Sequence, residues 1–340
     1  MEVDVARALR DAVADFCAEQ GEAVAAALVD PGMAGDAIVA KIAQKLDTAK
    51  AAAAINAKLD SDGAVLLEDV FSPENGLAET PKQFSPVPLS PSMVSLQLSV
   101  FGANALLDKL TVSYGSENDG ELFVNLVGMD SDDRRSEKSQ KSMRGHTDAM
   151  SFPFPGDVDP LFPAIAPSPD LVCLGALRNP DKVPTTVMPL AEILRNLDED
   201  VVAELMQPKF VLTCQDTFEL GTIDKLGKRH TLLDAAILRG TEGAERWVRF
   251  SHGKITAAEE DVSGLDALLT FKDVVARHVR PVPLSPGDVL LVSNRRALHG
   301  RSTVGAETGG VSRWLVRSYG LDRRSAEKYL TPGSRFCLFP

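Results

Sequence analysis

His146 and His299 lie almost half the 340-residue chain apart, and each is set in a frame that suits a strand. The first stands in Gly145-His146-Thr147-Asp148, where period-2 structure turns His146 and Asp148 to one face. The second follows Val289-Leu290-Leu291-Val292, an apolar run introduced by Pro286-Gly287-Asp288 that reads as a buried strand. Two imidazoles and one carboxylate form the facial set that holds non-heme Fe(II) and leaves positions open. A chain that uses them together must bring two distant strands side by side. With 5 histidines and 48 acidic residues, a lone His-x-acid frame is expected by chance, so the weight rests on what surrounds it.

What surrounds it is charged in an unusual way. Ser312-Arg313-Trp314-Leu315-Val316-Arg317-Ser318-Tyr319 alternates as a half-buried strand does, with Arg313, Leu315 and Arg317 on one face. Two guanidinium groups on the face of a metal site need an anionic reason, because a buried unpaired cation is costly.

These blocks resemble the Fe(II)/2-oxoglutarate-dependent oxygenases of the taurine dioxygenase and clavaminate synthase group, and within it the branch that hydroxylates free L-amino acids. The resemblance is carried by Gly145–Ala149, Leu171-Val172-Cys173-Leu174-Gly175-Ala176-Leu177-Arg178-Asn179-Pro180, Val183-Pro184-Thr185-Thr186, and Gly287 through Tyr319. It spans over half the chain; the first 80 residues carry no matching motif. The most specific block is Asn294-Arg295-Arg296-Ala297-Leu298-His299-Gly300-Arg301 followed by Arg313 and Arg317.

The resemblance implies iron ligation by His146, Asp148 and His299, with O2 as co-substrate. It implies an Arg313 clamp on the distal carboxylate of 2-oxoglutarate, where a planar fork can make paired hydrogen bonds. Thr186 would support that carboxylate, with Thr185 as the alternative one residue away. Arg317 would hold the substrate's α-carboxylate, and Glu117 would touch its amino group. The reaction implied is hydroxylation of an unactivated carbon with release of succinate and CO2. Asp148 favours hydroxylation over halogenation, since related halogenases lack that carboxylate. Relatives that take basic amino acids carry an Asp-x-Asp where this chain has Ser251 and Gly253, which puts an arginine- or lysine-like substrate in doubt. The alternatives are the same cofactors acting on a sulfonate, phosphonate, other small carboxylate or carrier-tethered amino acid. A non-catalytic barrel-shaped binding protein is the third reading.

The remaining histidines read as ordinary: His230 in a solvated polar turn, His278 near a helix C-terminus where imidazolium is mildly favoured, His252 without an assigned role. Cys17, Cys173, Cys214 and Cys337 are too scattered for a zinc cluster. They suit a reducing compartment, and the acidic start Met1-Glu2-Val3-Asp4 lacks a signal peptide's pattern, so the cytoplasm is expected. A net charge of −12 argues against nucleic acid or an anionic membrane as partner, and no apolar run is long enough to span a bilayer. A small-molecule substrate is expected; homo-oligomerisation stays open.

The expected architecture is mainly β with added helices: one domain over 1–340, with a helical N-terminal extension over 1–60 buttressing a double-stranded β-helix (jelly-roll) core over about 61–325. Alanine-rich periodicity predicts two or three helices over 3–59. A strand is expected at Ala64–Leu67, a loop at 72–93, a helix at Ser95–Leu110, strands near 111–115 and 121–127, and helices at 190–206 and 263–279. The polar stretch 129–145 reads as a lid loop before His146, and the proline-rich stretch 153–169 as a second loop beside the metal.

Overall fold

A computed structural model describes residues 1–129, 141–240, 246–305 and 307–340. Most of the expected lid, residues 130–140, lies outside the described residues; its last part is strand rather than loop, beginning at Met143.

The N-terminal segment folds into the helices Glu2–Gln20, Pro31–Ile42 and Thr48–Asp62, with shorter turns between. Asp30 and Asp47 cap the second and third by accepting from Met33 N–H and Lys50 N–H at 3.0 Å each. The next helix runs Pro91–Leu106 rather than Ser95–Leu110. Ser90 caps it and Pro91 opens its first turn, while Asp108 takes a positive φ of 55° and turns Leu110 into the following strand. The helix expected over 190–206 is two, Leu190–Leu194 and Glu199–Leu205. Helix Val262–Arg277 starts where Asp261 accepts from Gly264 N–H at 3.1 Å.

The strands in chain order are β1 (Ala64–Leu67), β2 (Lys109–Tyr114), β3 (Val124–Leu126), β4 (Met143–His146), β5 (Leu171–Arg178), β6 (Thr185–Pro189), β7 (Phe210–Thr213) and β8 (Thr231–Ala235). They continue as β9 (Leu238–Arg239), β10 (Trp247–Val248), β11 (Ile255–Thr256), β12 (Arg280–Val282), β13 (Val289–Ser293), β14 (Ala297–Arg301), β15 (Trp314–Asp322) and β16 (Cys337–Leu338). The larger sheet has the order β1-β13-β5-β15-β2-β16, with β3 also paired to β15; a four-stranded sheet has the order β12-β6-β14-β4. β7, β8 and β11 form a small sheet, and β9 pairs with β10.

The larger sheet is buried on both faces, which explains its nearly continuous apolar sequence. Cys173, Leu291, Trp314 and Val316 pack with Leu9, Ile38 and Phe101 of the helices. Their neighbours Leu174, Leu290, Val292 and Leu315 join Val187 and Ala297 of the four-stranded sheet in a second cluster. The far face of the smaller sheet, with Met188 and Leu298, packs on Phe271 and Val275 of helix Val262–Arg277. The alternation fixes every register, because a one-residue slip would exchange the two faces. It also leaves the space between the sheets as the place where inward polar side chains meet.

Candidate metal centre

The metal-binding candidates meet there because β4 and β14 are paired. His146 and His299 stand opposite each other across the two strands, with ring centroids 4.4 Å apart. Asp148, just beyond β4, brings its carboxylate oxygens to 3.4 Å from His146 Nε2 and 3.6 Å from His299 Nε2. One donor atom from each residue lies within 4.8 Å of the others, and all three side chains are buried.

The protonation states suit ligation. The Nδ1 of His146 lies 3.0 Å from the Arg144 carbonyl, which can only accept, so Nδ1 carries the proton and the Nε2 lone pair faces Asp148. Burial, and then His146, pushes the His299 imidazolium down, so that ring is held neutral. Burial opposes the charge of Asp148, but His146, His299 and Arg317 outweigh it and hold the carboxyl well below its usual range. These are the states a cation needs.

Asp148 is also held by its backbone. Asn294, which is 1% exposed, accepts from Asp148 N–H at 2.8 Å and donates to the carbonyls of Asp148 and Pro169 at 2.9 and 3.0 Å. Beside it, Arg295 binds Ser168 and Asp170, tying the end of the proline-rich loop to the turn before β14. Asn294 and Arg295 stood in the quoted motif without a role. The signal was available: two polar residues follow the buried strand Val289–Ser293, where polar groups must be partnered.

Arg313 is 5% exposed, and its guanidinium has one contact among the described residues, a long 3.5 Å approach to the Leu126 carbonyl; its Nε has none. Burial, and then the charge of Arg301, drives its pKa down to about 9. A cation so placed is built to meet an anion. The threonines divide by pleat. Thr185 pairs with Arg301 and Val187 with His299, so Thr185 shares the inward face with the histidine. Thr186 pairs with Gly300, on the opposite face with Met188 and Leu298. Thr185, the alternative one residue away, therefore faces the side of His299, and Thr186 does not.

Arg317 donates to Glu117 at 2.7 Å and approaches Asp148 at 3.5 Å, and Tyr319 Oη donates to the same Glu117 oxygen at 2.9 Å. Burial opposes the Arg317 charge, yet Glu117 and its neighbours hold its pKa above the ordinary arginine value. The other Glu117 oxygen, Oε1, is buried without a partner.

His230 is not solvated. It is fully buried and links Ser151 Oγ at 3.0 Å to Asp159 at 2.9 Å, while Asp159 accepts from the backbone of Leu161 and Phe162. It fastens the proline-rich loop; the polar run Lys228-Arg229 before it hid this role. His278 sits at the end of helix Val262–Arg277, 3.2 Å from Glu192.

No family model matches the chain. A search of curated proteins finds L-lysine 3-hydroxylase of Catenulispora acidiphila, 24% identical over 61% of this chain and 54% of that protein. It also finds clavaminate synthase 2 of Streptomyces clavuligerus, 24% identical over 86% of this chain and 82% of that protein. In sequence the chain is thus similar to an amino acid hydroxylase and to clavaminate synthase 2. The match to the hydroxylase spans only about half of that protein's length. Among solved structures, non-heme iron oxygenase OrfP in complex with Fe, succinate and (3S)-hydroxy-L-Arg has a TM-score of 0.75 at 23% identity, covering 97% of this chain and 96% of that one. OrfP and this chain share a fold. No helix among the described residues is long and apolar enough to cross a membrane.

Proposed function

We propose that this chain is an Fe(II)/2-oxoglutarate-dependent dioxygenase that hydroxylates a free L-amino acid. The observation that carries the reading is the convergence of His146, Asp148 and His299, in ligating states, between two sheets. The donor set suits Fe(II), because one carboxylate and two imidazoles on one side leave the other side open. His146, Asp148 and His299 would hold the metal. Arg313 and Thr185 would hold the distal carboxylate of 2-oxoglutarate, which supplies the anion that the buried guanidinium lacks.

The chemistry that bound iron, 2-oxoglutarate and O2 supply is oxidative decarboxylation to succinate and CO2, coupled to removal of hydrogen from an unactivated carbon. The protein's part is orientation and exclusion of water. Arg317 would receive the substrate's α-carboxylate, and the free Oε1 of Glu117 its ammonium; together they match a zwitterion in charge and order. The relative named L-lysine 3-hydroxylase and the OrfP complex with hydroxy-arginine and succinate support an amino acid as substrate. We further infer one domain on a double-stranded β-helix core, with the N-terminal helices packed on its outer face.

Anaerobic addition of Fe(II) and 2-oxoglutarate to the purified protein tests this reading. A weak visible charge-transfer band is expected in wild type and should vanish in His146→Ala. Folded wild-type protein that never shows the band would overturn the assignment.

A further inference from the structure

The wall beside His146 carries information about the substrate's side chain. Thr147 N–H donates to the Phe250 carbonyl at 2.9 Å, Phe250 N–H donates to Thr147 Oγ1 at 3.1 Å, and Ser251 bridges His146 in antiparallel sense. Residues directly opposite in such a pair project to the same side. Ser251 therefore shares the face of the metal-ligating histidine, while Phe250 projects the other way and packs on Phe271 at 4.9 Å. Past Ser251 the wall opens, since a Cβ on Gly253 would meet nothing within 4 Å.

The wall has no negative charge of its own. From Arg246 to Ala258 the chain contains no aspartate or glutamate, but has Arg246, Arg249 and Lys254. Arg144 precedes His146 on β4, and Lys272 approaches from helix Val262–Arg277. Both charges are felt at His252: burial first, and then Arg144 and Lys272, push its pKa down to about 4. An ammonium or guanidinium brought there would find no counter-charge on this segment, and Asp216, the acid beside it, is already paired with Lys254. An oxygen acceptor would meet the Ser251 hydroxyl, on the face it shares with His146.

We propose that the substrate's side chain lies along Ser251–Gly253 and ends in an oxygen acceptor, a carboxylate or carboxamide, rather than in a cation. This rests on the amino acid reading of the site. It separates this chain from the relatives whose names or ligands specify lysine or arginine.

Calorimetric titration of the anaerobic protein loaded with Fe(II) and 2-oxoglutarate tests it, with L-Asp, L-Glu, L-Asn, L-Gln, L-Lys, L-Arg and L-Leu as probes. One of the first four should bind at least about tenfold more tightly than the last three. If L-Lys, L-Arg or L-Leu binds as tightly as the best of the four, the proposal for this wall is overturned and the amino acid reading stands. If none binds while 2-oxoglutarate does, both fail. Ser251→Asp should weaken L-Asp or L-Glu and strengthen L-Lys, with Ser251→Ala as the control that adds no charge. Equal effects of the two substitutions on L-Lys would place the side chain elsewhere.

Discussion

Single residues decide whether the candidate centre is merely assembled or held ready. Asn294 grips both backbone groups of Asp148 and anchors them to Pro169, so it would act on a bound metal through the position of Asp148. Replacing such a supporting partner typically weakens metal binding about 10–100-fold, and Asn294→Ala should do so toward Fe(II) or Co(II). Asn179 is the control: it is 5% exposed and makes a similar set of bonds, to Val183 and Leu284, with no contact to the triad. Asn179→Ala should lower the melting temperature comparably and leave metal affinity intact. Equal loss of metal affinity in both variants would reduce the Asn294 effect to general destabilisation. The pleat of β6 gives a second prediction. Thr185→Val should weaken 2-oxoglutarate binding about 10–100-fold, the loss of one hydrogen bond to a charged group. Thr186→Val, on the other face, should leave it unchanged, and the reverse result would restore the original register.

At the scale of elements, the structure ties the proline-rich loop down more firmly than its composition suggests. His230 is held below its usual pKa, chiefly because burial disfavours its charged form, with Asp159 opposing and Lys228 adding to the effect. As pH falls, the unfolded chain takes up the proton first, near the ordinary value of 6.5, while folded His230 resists. The stability from the neutral ring is therefore complete above that value and lost as pH falls toward the lower folded pKa. The melting temperature should drop between about pH 7.5 and about pH 5.5, and the drop should be shallower in His230→Gln. An identical pH profile in the variant would show that other groups set it. Elements that follow local rules were legible: β1 lies where Asp62-Gly63 and an apolar run put it, and the alanine-rich segment is helical. The misread ones depended on partners distant in sequence. Leu110 joins β2 because β15 offers an edge there, and Met143 to Gly145 are strand because β14 pairs with them.

Over the whole molecule, the helices and the larger sheet share one core, and their close approach depends on small residues. A Cβ on Gly102 would come within 2.6 Å of Ile38 and 2.7 Å of Leu9, where three helices meet. Gly102→Val should destabilise the protein by about 1–3 kcal/mol through overpacking, read by denaturant unfolding, with the charge-transfer band retained in the folded fraction. An unchanged midpoint would show that these helices can separate without loss. By itself the sequence determined which residue types could bind iron and an anion, and which strands carried them, because both follow from local period and from motif. It also supplied the absence of acids around Ser251. The tertiary structure decided which threonine faces inward, that Asn294 holds Asp148, and that His230 is buried. Each of these depends on pairing register or on contacts between segments far apart in the chain, and local sequence does not encode which distant backbone group a polar side chain will meet.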